Sequence, residues 1–267
     1  MNEKKESGST GPLKSPGGKE AGKVCLVCGM GLAEYGKTLE LQRRLHASRV
    51  AGERPDTLLL LEHPPTLTIG KSGSLSNVRV SLERLREMGI SLFHVERGGD
   101  VTYHGPGQLV GYPIFDLRGR GRDISRFVTD LEEVMIRTAG DFTVRAGRDP
   151  GHRGVWVGDR ELGAIGISVR KWVTMHGFAL NVITDLRHFS LINPCGFTDR
   201  QATSIAECLS GEVALESVRE RLQSNFSAVF GVDLVAVGKG EPKRRAEGRP
   251  GRRGFFVDTA VVTDRMT

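Results

Sequence analysis

Read along the chain, the spacing of apolar positions predicts short strands interrupted by three amphipathic helices. Val24, Leu26 and Val27 open a strand. Over residues 33–51 the period lengthens to that of a helix, and Tyr35, Leu39, Gln42 and Leu45 fall near one face. Residues 58–61 are four consecutive leucines, a short apolar strand that Pro64 and Pro65 stop because proline gives the ladder no N–H. Further strands are expected at 90–95, 109–117, 154–157, 162–169 and 174–182. Residues 124–140 read as a helix with Phe127, Leu131, Val134 and Met135 on its apolar side, and a last helix covers 215–230. Strands outnumber helices and cluster between them. The expected class is therefore α+β, a mixed β-sheet flanked by helices.

Composition sets the boundaries. Residues 1–22 are rich in Gly, Ser, Lys and Glu without apolar periodicity and are expected to be a disordered tail. Beyond 237 the chain turns to Gly, Pro and Arg, a basic tail over 238–267. The 267 residues, 38% of them hydrophobic, then leave one catalytic-size domain at 23–237. The formal charge of +6 is concentrated at the ends: seven Lys or Arg against two Glu lie between residues 238 and 254, and the body is neutral. Such a distribution argues against a folded nucleic-acid-binding face. No apolar run reaches the ~18–20 residues of a membrane span, and the first residues lack the apolar segment of a secretory signal. The expectation is a cytoplasmic protein with no membrane and no nucleic-acid partner. Its four cysteines are too few for a disulfide framework.

Four segments carry chemistry. In the first, Arg97, Gly98, Gly99, Asp100, Val101, Thr102, Tyr103 and His104 precede Gly105-Pro106-Gly107-Gln108. Paired glycines beside an arginine let backbone N–H groups approach a ligand, although a glycine-rich turn between strands is also simply a turn. In the second, Gly163, Ala164, Ile165, Gly166 and Ile167 alternate small and aliphatic residues, which suits either a narrow slot for an acyl chain or close strand packing. The third holds His176, Gly177, Phe178 and Ala179; its histidine is a general base or a structural residue on local grounds. In the fourth, Asn193-Pro194-Cys195-Gly196 puts a thiol on a rigid turn, unlike Cys25, which sits in an apolar strand. Cys25 and Cys28 have CxxC spacing but no second pair, so no metal site is expected.

Together with Glu62-His63-Pro64-Pro65, Tyr112 and Gly154-Val155-Trp156-Val157, these segments resemble the lipoyl(octanoyl) transferase family over residues 24–230. The resemblance implies the biotin/lipoate ligase-like catalytic fold and an acyltransferase that needs no cofactor. It implies transfer of an octanoyl group from octanoyl-acyl carrier protein to a lysine of lipoyl domains, those of 2-oxoacid dehydrogenases and the glycine cleavage H protein. This is the first step of endogenous protein lipoylation. The family's acyl-thioester cysteine falls on Cys195. Its substrate-binding segments fall on Arg97 to His104, on Ala164, Ile165 and Gly166, and on Gly177, Phe178 and Ala179.

One position departs from the family pattern. The lysine that lowers the thiol pKa in the family aligns with Glu161, a reversal of charge. At ~5 Å and an effective dielectric of ~20, either sign acts on the thiolate with about 3 kcal/mol. Three readings follow: Glu161 is a catalytic base, a cation such as Arg160 or Lys171 substitutes, or the chain is a weakened or inactive homologue that binds acyl groups or lipoyl domains. An ATP-using ligase on the same fold is the other rival, for which Glu161 is the wrong charge.

Overall fold

The apolar alternation becomes pairing as each strand finds neighbours that bury its faces. In the computed structural model, which describes residues 23–193 and 201–237, the chain begins β1 (Lys23–Leu32), α1 (Tyr35–Ala51), β2 (Asp56–Glu62), β3 (Thr66–Ile69), α2 (Leu82–Glu87), β4 (Ser91–His94), β5 (Val101–His104) and β6 (Gln108–Ile114). It continues α3 (Ile124–Asp141), β7 (Gly147–Asp149), β8 (His152–Val157), β9 (Arg160–Arg170), β10 (Val173–Asn181), α4 (Ile205–Leu209), α5 (Leu215–Phe230) and β11 (Val232–Ala236). Eight strands form one mixed sheet in the order β11-β1-β2-β6-β10-β9-β8-β7, with β11, β1 and β2 parallel and the others antiparallel. A second sheet has the order β4-β3-β5.

The leucine run of β2 explains the layering. Leu58 and Leu60 point into one core with Phe115, Phe127, Leu131, Leu222, Phe226 and Phe230, so α3 and α5 cover that face. Leu59 and Leu61 point into the other with Tyr35, Leu39, Leu45 and Val110, under α1. A strand buried on both faces reads as a continuous apolar run, which is what 58–61 shows. Local signals set the helix ends: the Glu34 carboxylate accepts from Gly36 N–H and Lys37 N–H before α1, the Asp123 carboxylate from Arg126 N–H before α3, and Gly52 and Gly231 close α1 and α5 in left-handed geometry.

The three predicted helices are α1, α3 and α5, with Tyr35, Leu39, Gln42 and Leu45 buried as expected. Six elements were not predicted: β3, β5, β7, β11, α2 and α4. Of these β5 matters most, because it lies inside the segment read as a glycine-rich loop. The second sheet has its own small core of Leu67, Ile69, Leu85, Val101, Tyr103 and Ile192. It is tied to the large sheet by Gly98 N–H, which donates to Ile167 O at 2.8 Å.

Candidate active site

Between the two sheets lies a cavity of about 850 Å³. Its floor is the α1-side face of β9 and β10, where Ala164 pairs with Ala179 and Gly166 with Gly177. Strand alternation sends the intervening Ile165 and Phe178 to the opposite face, so their side chains join the α3–α5 core while their backbone borders the cavity. Small residues on one face and large ones on the other produce a shallow slot above a firm base. Gly166 has to be glycine: a Cβ there would stand 2.8 Å from Arg97 Cδ and 3.0 Å from Gly98 O.

Arg97 is a wall of this slot rather than a mobile cation. Its Nε and Nη2 donate to Thr68 Oγ1 at 3.2 and 2.9 Å, Nη2 also to Thr68 O at 2.8 Å, and Nη1 to Gly98 O at 3.0 Å. Gly99, Asp100, Val101, Thr102 and His104 border the cavity, whereas Gly98 and Tyr103 are not among its lining residues. For Tyr103 the reason is alternation along β5: its ring packs in the small core against His188 and Phe189, with centroids 5.0 and 5.5 Å away.

Two histidines beside the slot are held neutral. Gln108 Nε2 donates to Tyr103 O and Asn181 Oδ1, which leaves Gln108 Oε1 to accept from His104 Nδ1 at 2.8 Å. Burial, assisted by neighbouring His63, pulls His104 down to about 3. His63 Nδ1 donates to Ala33 O at 2.6 Å, so its Nε2 accepts from the Tyr112 hydroxyl at 2.8 Å, and burial pulls this ring down to about 4. The phenol of Tyr112, which borders the cavity, is raised by its own burial.

At the mouth, Glu161 stands opposite Trp156 in the β8–β9 register, and both border the cavity. Its N–H donates to Gln201 O and its carbonyl accepts from Thr203 N–H, each at 2.9 Å. Arg160 pairs at 3.3 Å with Glu207, which itself borders the cavity, and Lys171 lies at the β9–β10 turn outside the lining. The cations that do border the cavity are Arg79, Arg97, Arg153 and Arg187. His152 also borders it, with Nδ1 2.8 Å from Asp149 Oδ1.

Cys195, with Pro194, Gly196 and Phe197, lies outside the described residues. Its flanks do not. Asn193 N–H donates to Asn77 O at 2.8 Å, and Asn77 Nδ2 donates to Asp100 Oδ2 at 2.6 Å. Downstream, Gln201 is bonded to Glu161. Asn193, Gln201 and Ala202 all border the cavity, so both ends of the cysteine segment are fastened to the site. Sequence reasoning missed Tyr35, His152 and Arg153 as lining residues; for Tyr35 the available signal was an aromatic hydroxyl on the apolar face of a helix.

A fold of this topology with a slot floored by small residues between its sheets defines a class, and the comparisons agree. The model of the lipoyl protein ligase A/B catalytic domain matches residues 34–227, and the chain belongs to that family. Among curated relatives it is similar to an octanoyltransferase of Caldicellulosiruptor bescii, 54% identical over 219 residues covering 81% of this chain and 96% of the relative. An octanoyltransferase of Solibacter usitatus is 47% identical over 211 residues, 79% of this chain and 95% of the relative. Among solved structures, a lipoate-protein ligase A bound with ATP superposes with a TM-score of 0.63 at 17% identity, covering 82% of this chain and 90% of that one. A putative lipoate protein ligase from T. acidophilum with bound lipoic acid gives 0.60 at 17%, covering 81% and 90%. These two likenesses establish the lipoate-ligase fold.

Proposed function

We propose that the chain is an octanoyltransferase that moves an octanoyl group from acyl carrier protein to a lysine of lipoyl domains through a thioester on Cys195. The observation that carries this reading is the joining of a small-residue slot to both fastened flanks of Cys195 in one cavity. Curated relatives called octanoyltransferases, alike over most of the chain, support the choice of acyl group.

The reaction is a double displacement. The Cys195 thiolate attacks the carrier thioester, the tetrahedral intermediate collapses, and the carrier thiol leaves with a proton. The lysine amine then attacks the acyl-enzyme, forming the amide and returning the thiol. The acyl chain lies along Ala164, Gly166, Gly177 and Ala179, where Arg97, fixed on Thr68, closes the slot. The 2-oxoacid dehydrogenase lipoyl domains and the glycine cleavage H protein are the acceptors, no cofactor takes part, and the setting is the cytoplasm. The catalytic domain is residues 23–237.

Glu161 serves this scheme as the proton acceptor for the incoming lysine ammonium, since an anion beside the thiol opposes the thiolate and gives it no help. Glu161→Gln is then expected to raise Cys195 alkylation at neutral pH while slowing transfer. If thiol acidity and transfer improve together, Glu161 is an electrostatic defect and not a base. The activity itself is tested by incubating octanoyl-acyl carrier protein with a lipoyl domain, with and without ATP. Equal lysine octanoylation in both is expected, and strict ATP dependence would contradict the proposal.

A further inference from the structure

The β7–β8 edge of the cavity carries an imidazole–carboxylate pair that the proposed reaction does not use. Asp149 and His152 face each other in the β7–β8 register and close the hairpin at Pro150 and Gly151. His152 Nδ1 lies 2.8 Å from Asp149 Oδ1, and Gly151 N–H donates to the same oxygen at 2.8 Å. A carboxylate only accepts, so Nδ1 carries the proton and the lone pair of the neutral ring is on Nε2. The half-buried ring meets Trp156 edge-on with centroids 6.0 Å apart, and both border the cavity.

Glu161 joins this pair over Gly154. That glycine has φ +127°, and a Cβ on it would stand 3.4 Å from Glu161 Oε1 and 3.7 Å from Trp156 Nε1. Its missing side chain leaves a gap along β8 between His152 and Trp156, and the Glu161 carboxylate reaches over it from β9. The neighbouring cation does not compete there: Arg153 is turned to α3, where it meets Ser125, Thr129 and Glu132. A carboxylate and an imidazole acceptor thus share one corner of the mouth. A lysine ammonium has three N–H donors and no acceptor, and loss of one proton leaves an amine with two. In the proposed reaction Glu161 takes that proton, and a single carboxylate leaves the amine able to turn. A second acceptor fixes the direction of its lone pair.

We infer that His152, held by Asp149, is the second acceptor of an amine subsite at the mouth, which takes a primary alkylammonium group. This rests on the acyl-transfer reading for the identity of that group as the acceptor lysine. The ammonium lies between Glu161 and His152. Its proton passes to the Glu161 carboxylate, one remaining N–H bonds to His152 Nε2, and the lone pair points away from both. Asp149 is a positioning residue that keeps the ring in the accepting tautomer.

The test pairs kinetics with binding. In a double displacement, kcat/KM for each substrate reports its own half-reaction. His152→Leu is expected to lower kcat/KM for a lipoyl domain about tenfold or more, and that for octanoyl-acyl carrier protein by distinctly less. His152→Gln keeps an acceptor oxygen and should lose less toward the lipoyl domain than His152→Leu. Equal falls for both substrates, or no fall for the lipoyl domain, would overturn the subsite. Binding is read by nitrogen NMR of the histidine rings in the full chain, titrated with butylammonium chloride and no acyl donor. His152 Nε2 is expected to be unprotonated and to shift on titration, and Glu161→Gln should need more butylammonium for the same shift. An Nε2 that carries the proton in the neutral ring, or that butylammonium leaves unmoved, would overturn the subsite as well. The titration needs no transfer, so failure of octanoyl transfer strikes the proposed reaction while the NMR still decides the subsite.

Discussion

On the α3–α5 face of the large sheet, Phe115, Phe127, Phe226 and Phe230 pack with Leu131 and Leu222, and hydrocarbon dominates, with Arg120 over the Phe115 ring and Thr138 bonded back to Val134 O. On the α1 face the same strands meet His63, His104, Gln108, Asn181 and His176. There each polar group needs a named partner, and for His176 it is the Glu96 carboxylate, 3.8 Å from Nε2. The first face holds its shape by excluding water from hydrocarbon; the second by a chain of directional bonds around small residues. The comparison shows how one sheet serves as both structural base and binding surface. Alternation lets Ile165 and Phe178 brace one side while Ala164, Gly166, Gly177 and Ala179 leave room on the other.

The two faces should respond differently to mutation. Leu131→Ala, at a fully buried position of the hydrocarbon face, should cost about 2–5 kcal/mol of stability in denaturant titration. Its transfer rate, measured well below the melting temperature, should hold up. Rate and stability falling together there would mean that the faces are not separable.

Acid should strike the other face. His63 and His104 are held down to about 4 and about 3 by burial, while the unfolded chain takes up their protons near pH ~6.5. The unfolded state therefore binds more protons in this range. The stability contributed by the neutral rings is complete above pH ~6.5 and is lost as pH falls toward the folded values. Each imidazole contributes a slope of roughly 1.4 kcal/mol per pH unit across its window. The carboxyls held low by their arginines, Asp116 by Arg118 and Asp185 by Arg187, add the same sign only further into acid. Proton uptake on unfolding at pH 5 should drop by about one in His63→Gln, as read from the pH dependence of the unfolding midpoint. A flat profile between pH 6.5 and 4.5 would contradict neutral buried histidines.

Thr68→Val sharpens the comparison most finely, because it keeps shape and deletes the hydroxyl that receives Arg97 Nε and Nη2. A loss of about 1–3 kcal/mol is expected from the under-bonded guanidinium. Transfer should fall by more than stability explains, since Arg97 closes the slot over Gly166. Retained kcat/KM with lowered stability would make Arg97 purely structural.

Long helices and the strands of the large sheet's middle were the legible part of the fold. In α1, Tyr35, Leu39, Gln42 and Leu45 recur at helical spacing, and a 17-residue element offers enough repeats to see it. The four-residue strands β3 and β5 do not. Val101 and Tyr103 do alternate with Thr102 and His104 along β5, but the flanking glycines dominate the local composition. β11 is an edge strand whose partner, β1, is almost the whole chain away. In the site, the segments were readable and the side-chain directions were not. The string Arg97 to His104 marks the place, yet only pairing with β3 tells which of its side chains enter the cavity and sends Tyr103 elsewhere. His176 is the sharper lesson, since its left-handed backbone depends on Gln42, distant in sequence on another element.

The central claim, an acyl-enzyme on Cys195, is tested most directly by intact-protein mass after mixing the chain with octanoyl-acyl carrier protein and no acceptor. The account predicts one octanoyl adduct, labile to hydroxylamine, located on the peptide that contains Cys195, and absent from Cys195→Ser. Cys25, whose thiol is pushed up by burial in β1, should stay unmodified. Transfer to a lipoyl domain at the wild-type rate by Cys195→Ser, or turnover with the adduct on another cysteine, would contradict it.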